Sequence, residues 1–139
     1  MNTQYGLHEE QYSIIYNVSF LSLGSSIYAM YNGYYGLSIY PGGAFLTSVN
    51  YWRKPDYSWR RYLDMFFIKY ALSCQLYSAY GAEYAREYYT LTFIAVCFYG
   101  LGVYYYSKNL HWHSTYAHCT LHIIANIANV ILYSGEIKV

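Results

Sequence analysis

The sequence predicts an all-α protein, a polytopic bundle of about five transmembrane helices, for two reasons. Charged residues make up only 11% of the chain, whereas soluble domains contain about 25%. In addition, the ranges 11–52, 88–107 and 109–135 contain no Asp, Glu, Lys or Arg. Uncharged stretches of about 20 residues are typical of membrane-spanning helices. At 139 residues, the chain is expected to form a single integral membrane domain.

Five hydrophobic segments are predicted to be the helices. Segments A to E cover residues 13–31, 37–52, 62–80, 88–106 and 113–133. In segment A, Ser22, Ser26 and Ala29 share one face, and small residues on one face favour close helix packing in lipid. Segment B is the least regular, because Asn32-Gly33 and Pro41-Gly42-Gly43 interrupt it. A helix that starts only at Pro41 is therefore an alternative to a full span.

The connection between segments B and C predicts the orientation of the chain. It contains four of the eight basic residues, and these are Arg53, Lys54, Arg60 and Arg61. The excess of Lys and Arg in cytoplasmic loops predicts that this connection is cytoplasmic, where the four side chains could bind lipid headgroups. Five crossings then place the amino terminus in the cytoplasm and the carboxy terminus on the opposite side.

Composition also limits the partners. A net charge of +1 argues against nucleic acid, so membrane lipids are the expected partners. Because five helices enclose little volume, a homo-oligomer that completes the bundle is a further expectation.

A polar stripe on segment E is the main functional clue. His118 and His122 are four residues apart and therefore lie on one face of a helix. The same face continues through Asn126, Asn129 and Tyr133, while apolar residues flank it. Such a stripe should point toward other protein or toward something bound.

Two further polar residues are expected at the depth of the histidines. Segment B runs toward the cytoplasm, and segments C and E run away from it, so Ser48 and Asp64 should lie level with His118 and His122. A carboxylate within a span costs about 2.5–3.5 kcal/mol and usually has a partner. That partner could be Arg60 or Arg61, a metal-bound water, or a histidine of segment E.

The histidine spacing is compatible with a zinc site. Histidines at this spacing can bind one zinc ion, and a third ligand plus an open water position would make the site catalytic. His111 and His113 are the candidates for the third ligand. The alternative is that the histidines form hydrogen bonds to tyrosines, of which the chain has 23.

These motifs resemble a superfamily of membrane hydrolases and receptors that contains alkaline ceramidases, the progestin and adipoQ receptors and bacterial haemolysin III-like proteins. Its pattern is Ser-x-x-x-His late in the second helix, Asp early in the third and His-x-x-x-His early in the last. Ser48, Asp64, His118 and His122 match that pattern in order. This sequence has Trp52 where the superfamily pattern has the second-helix histidine. It also has five hydrophobic segments, whereas the superfamily has seven helices.

The resemblance implies zinc-dependent hydrolysis of a lipid amide or ester, such as that of a ceramide. Asp64 would position a metal-bound water, and Ser48 would steady that water or an oxyanion. One alternative is a non-catalytic membrane scaffold or assembly protein, in which the polar stripe forms interhelical hydrogen bonds. Another is a small element that conducts protons or ions, for which intramembrane His and Asp are typical.

Overall fold

The computed structural model describes residues 9–55 and 58–137, and within these residues every regular element is a helix. The all-α prediction is therefore confirmed for this part of the chain. The helices are α1 (Glu9–Val18), α2 (Phe20–Tyr31), α3 (Tyr35–Trp52), α4 (Trp59–Ala79), α5 (Ala85–Ser107) and α6 (His111–Ser134).

Segment A corresponds to two helices that are separated by a single residue. Ser19 lies between α1 and α2, and both its backbone amide and its hydroxyl donate to the carbonyl oxygen of Ile15, at 3.0 and 2.8 Å. A serine hydroxyl that bonds back to the preceding turn often bends a helix. The described helix also starts at Glu9, before the predicted start of the segment.

Segment B forms one complete helix. α3 begins at Tyr35 and contains Pro41 in its interior, so the alternative in which the helix starts at Pro41 is wrong. The preceding turn contains Gly33, whose φ of +85° is a conformation that glycine adopts without strain. The helix break therefore lies at Asn32-Gly33, and the proline is accommodated within the helix.

Helix α6 is the centre of the packing. It packs along α5 and also contacts α1 and α2, while α2 packs on α3 and α3 packs on α4. Helices α4 and α5 are neighbours in sequence but make little contact with each other. This arrangement leaves a gap between α4 and α5, with α3 and α6 behind it.

One end of the bundle is closed by the chain that follows α6. The amide of Ile137 donates to the Tyr34 hydroxyl at 3.2 Å, and the amide of Glu83 donates to the carbonyl oxygen of Glu136 at 2.8 Å. Leu132 and Tyr133 are buried beside these contacts. The ends of α2, α4 and α6 are therefore tied together at this end of the molecule.

Two of the described helices, α5 and α6, are long and apolar enough to cross a membrane. Helix α4 is long enough but contains Arg60, Arg61, Asp64 and Lys69, while α1 and α2 are short when taken separately. The frequent tyrosines also lower the hydropathy of the remaining helices. The five-span bundle and its orientation thus stay predictions.

Candidate functional site

A cavity of about 600 Å³ fills the gap that α3, α4, α5 and α6 leave between them. Its volume lies within the range of about 300–1,000 Å³ that is typical of small-molecule sites. Most of its wall is apolar, and its polar side chains come from all four of these helices and from Ser22 of α2.

The structure brings Ser48, Asp64, His118 and His122 to the wall of this one cavity. The Ser48 hydroxyl donates to Asp64 Oδ1 at 3.2 Å, which joins α3 to α4. Asp64 is only 8% exposed, and its carboxylate lies beside the side-chain hydroxyls of both Ser48 and Thr47. Residues from three helices, α3, α4 and α6, thus share one cavity.

The two histidines face each other. Their Nε2 atoms are 3.1 Å apart, because residues four apart on a helix lie one turn from each other. A hydrogen bond between two neutral rings fits this distance if one Nε2 carries the proton. The distance also resembles that of two nitrogens bound to one tetrahedral zinc at 2.0–2.1 Å, which lie about 3.3 Å apart.

The candidate third ligands do not join the pair. His111 stacks on Tyr106 and His113 lies against Tyr105, each with ring centroids 5.2 Å apart. His113 is five residues before His118 and points about 140° away around the helix, and His111 lies about 10.5 Å along the axis. Within residues 9–55 and 58–137, no group of three or more His, Cys, Asp or Glu side chains could hold a metal ion.

Trp52 occupies the place beside His118. The two rings meet edge to face with centroids 5.1 Å apart, and Trp52 also lines the cavity. A side chain at position 52 can therefore reach the histidine pair directly. The indole has no lone pair to offer a metal, since its nitrogen is a donor only.

Three of the four basic residues of the predicted cytoplasmic connection make side-chain contacts with protein. Arg60 donates through Nη1 to the carbonyl oxygen of Asn50 at 3.0 Å and through Nη2 to that of Lys54 at 2.8 Å. Arg53 donates to Asn50 Oδ1 at 3.3 Å, and the Arg61 guanidinium lies over the ring of Tyr62. Arg60 thus holds the turn, and Asp64 has Ser48 as its partner instead.

A second polar cluster lies on the same cavity wall, farther along α4 and α6. Gln75 Nε2 donates to the Tyr88 hydroxyl at 2.9 Å and to Asn129 Oδ1 at 2.6 Å, and the Tyr133 hydroxyl donates to Gln75 Oε1. The stripe on α6 predicted Asn129 and Tyr133 to face inward. It gave no sign of Tyr88, because one tyrosine among many carries no distinguishing pattern.

Asn126 extends the polar wall between the histidines and this second cluster. Its Oδ1 accepts from the Ser25 hydroxyl at 2.6 Å, and its Nδ2 donates to the carbonyl oxygen of His122 at 2.7 Å. The sequence indicated only a packing role for the small residues of α2. Ser25 instead ties α2 to α6 by a hydrogen bond.

Comparisons with protein-family models, with curated proteins and with solved structures found no match to this chain. The relation to the ceramidase and receptor superfamily therefore stays a prediction based on the residues that line this cavity.

Proposed function

We propose that this chain is an integral membrane protein that binds a lipid in its cavity and hydrolyses an amide or ester bond of that lipid, with the help of zinc held by His118 and His122. One observation carries the proposal: three separate helices bring the sparse positions of the resembled pattern to one cavity wall. The local sequence of any one helix does not require this convergence.

The exposed surface supports a location in the membrane. In the most apolar stretches of α5 and α6, only 17% and 33% of the residues are buried, whereas the core helix of a soluble protein is mostly buried. Large apolar side chains such as Ile39, Phe66 and Phe93 are also exposed, at 63–70%. Exposed apolar side chains on several helices are expected of a surface that faces lipid.

The donors in the cavity fit a zinc ion in part. The two histidines supply nitrogen ligands, and water or substrate would take the remaining positions. When bound, zinc would polarise a carbonyl group and acidify a bound water. Asp64 faces the same space and can accept a proton from water at its carboxylate. Ser48 holds that carboxylate in place through its 3.2 Å hydrogen bond.

Metal content is the first test. We expect about one zinc per chain in detergent-purified protein, measured by elemental mass spectrometry, and loss of that zinc in the His118→Ala/His122→Ala double variant. His113→Ala is the matched control, since its ring lies against Tyr105, and it should retain the metal. Asp64→Asn should retain zinc and lose hydrolysis of a ceramide-type amide.

The rival function is a non-catalytic scaffold or assembly protein. Among the described residues, every buried side-chain nitrogen and oxygen has a hydrogen-bond partner, as expected of a bundle that polar contacts hold together. In this alternative, His118 and His122 bond to each other and need no metal. Well-folded protein without stoichiometric zinc would support the scaffold and contradict the hydrolase.

A further inference from the structure

Asn129 carries an amide group that the proposed chemistry does not use. It lies on α6, seven residues after His122, and its partly exposed side chain lines the cavity. Its Oδ1 accepts from Gln75 Nε2 at 2.6 Å, but its Nδ2 has no hydrogen-bond partner among the described residues. A polar group away from water costs free energy unless it is hydrogen-bonded, so we expect this nitrogen to donate to an acceptor in the cavity.

The other members of the polar cluster around Asn129 are closed to a ligand. Gln75 uses its Nε2 for the Tyr88 hydroxyl and for Asn129, and its Oε1 accepts from the Tyr133 hydroxyl. Tyr88 and Tyr133 are each only 1% exposed, so protein covers both rings. Asn129 Nδ2 is therefore the donor of this cluster that a bound molecule could use.

The wall between His122 and Asn129 is mainly apolar. Ala125 on α6 and Leu72 on α4 line it, and their side chains offer no hydrogen bonds. Asn126 lies in the same interval, but its Nδ2 donates to the carbonyl oxygen of His122 and its Oδ1 accepts from a serine hydroxyl of α2. A chain along this wall thus meets an available hydrogen-bonding group at each end.

The spacing of these two groups sets the place of an oxygen on such a chain. Seven residues make nearly two full turns, so His122 and Asn129 share one face and lie about 10.5 Å apart along the axis. An extended acyl chain advances about 1.3 Å per bond, because its carbon–carbon bonds of about 1.5 Å alternate in direction. An oxygen about eight bonds beyond the lipid carbonyl would therefore lie level with Asn129.

We infer that the cavity takes a single-chain lipid whose acyl chain carries an oxygen near its middle, as a keto or hydroxyl group, and that Asn129 Nδ2 donates to this oxygen. The lipid carbonyl would lie at the histidine pair. Because α4 and α5 make little contact, the rest of the chain can leave between them. The inference rests on the proposed function and deepens it, because it names the class of acyl chain that the site would act on.

Binding of three fatty amides tests this inference. The probes are octadecanamide, 9-oxooctadecanamide and 16-oxooctadecanamide, so the two keto probes differ only in the position of the oxygen. Binding is measured to the full chain in phosphatidylcholine nanodiscs after metal removal by a chelator, with the uptake by empty nanodiscs subtracted. We expect the 9-oxo probe to bind about three- to tenfold more tightly than the other two, as one neutral hydrogen bond would allow.

Three variants decide the role of Asn129. Asn129→Leu should lose the preference for the 9-oxo probe, while its affinity for octadecanamide, which reports a folded cavity, stays unchanged. Asn129→Gln retains an amide donor and should keep the preference. Asn126→Leu is the matched control on the same helix: it removes a hydrogen bond between α2 and α6 but no available donor, and it should also keep the preference.

The inference would be overturned by equal affinity of the wild type for octadecanamide and the 9-oxo probe, or by an equal gain with the 16-oxo probe, which would reflect polarity alone. A preference that survives Asn129→Leu, or loss of all three probes in that variant, would contradict the role of Asn129. None of these results depends on zinc or on turnover, because the protein is metal-free. Failure of the proposed hydrolase would instead appear as absence of zinc or of hydrolysis in the metal-content and ceramide experiments.

Discussion

At the scale of single residues, Trp52 lies against the histidine pair and offers it no metal ligand. Its ring contacts that of His118, with centroids 5.1 Å apart, at the position where the resembled superfamily has a histidine. The pair alone gives two nitrogen donors, whereas catalytic zinc sites usually have three protein ligands. One side chain therefore separates a two-histidine pair from a three-histidine site.

Trp52→His is expected to increase zinc affinity, because the new imidazole would start beside His118. Changes even in the outer shell of a zinc site alter affinity by about 10- to 100-fold, so an added ligand should give at least that gain. Competition with a chromogenic chelator measures it. Trp52→Phe keeps an aromatic ring without a donor and should not gain affinity; an equal gain there would mean that relief of crowding, not ligation, was responsible.

The sequence predicted these residues to different degrees. The spacing of His118 and His122, and the rarity of a carboxylate such as Asp64 in an apolar segment, are local signals, and the structure places these residues at one cavity. Gln75 with Tyr88 could not be predicted as a pair, since the contact joins two helices and tyrosine is frequent everywhere. His111 and His113 looked suitable by type, but the rotation and rise of the helix carry them away from the pair.

At the scale of helices, the approach of α3 to α4 depends on Gly43. A Cβ at this position would overlap the ring of Phe67, so the absence of a side chain is what lets the two helices meet there. The same contact region brings Ser48 within hydrogen-bonding distance of Asp64. The Gly-Gly pair after Pro41 suggested a helix break from sequence alone, whereas its role in the structure is close packing.

Gly43→Ala is expected to destabilise the protein by about 1 kcal/mol, the low end of overpacking costs, because the partly buried Phe67 ring must move aside. Thermal unfolding in detergent, followed by tryptophan fluorescence, measures the change. Gly36→Ala is the matched control on the same helix, because a Cβ there meets no atom within 4 Å, and it should be neutral or stabilising by about 0.4–1 kcal/mol. Equal effects of the two substitutions would show that Gly43 acts through helix propensity and not through packing.

At the scale of the whole molecule, the open question is how many helices cross the membrane. The five hydrophobic segments of the sequence predict five crossings, whereas α5 and α6 are the two described helices that satisfy length and composition. Sequence periodicity could predict the helices but not how many of them cross the membrane. Tyrosine lowers the mean hydropathy of a helix without adding charge, and α4 carries charged residues that line an internal cavity. Hydropathy and charge therefore give different answers for the same helix. The five-crossing and two-crossing arrangements place the turn between α5 and α6, and the carboxy terminus, on opposite sides of the membrane.

Five crossings place the amino terminus and the turn between α5 and α6 in the cytoplasm and the carboxy terminus on the other side. We expect this arrangement. A tag inserted at Asn109, an exposed turn residue with φ of 61°, should then be digested by protease in sealed vesicles whose cytoplasmic face is outward, and a carboxy-terminal tag should be protected. Detergent should expose both tags.

If only α5 and α6 cross the membrane, both protease results are reversed. The turn between α5 and α6 then lies on the non-cytoplasmic side, and α6 brings the carboxy terminus back to the cytoplasmic side, where the amino terminus lies. A protected tag at Asn109 with an accessible carboxy-terminal tag would therefore contradict the five-crossing bundle. The outcome also bears on the cavity, because α3 and α4 supply Ser48, Asp64 and Lys69. Only in the five-crossing arrangement do these side chains lie within the bilayer, where a lipid could reach them from the gap between α4 and α5.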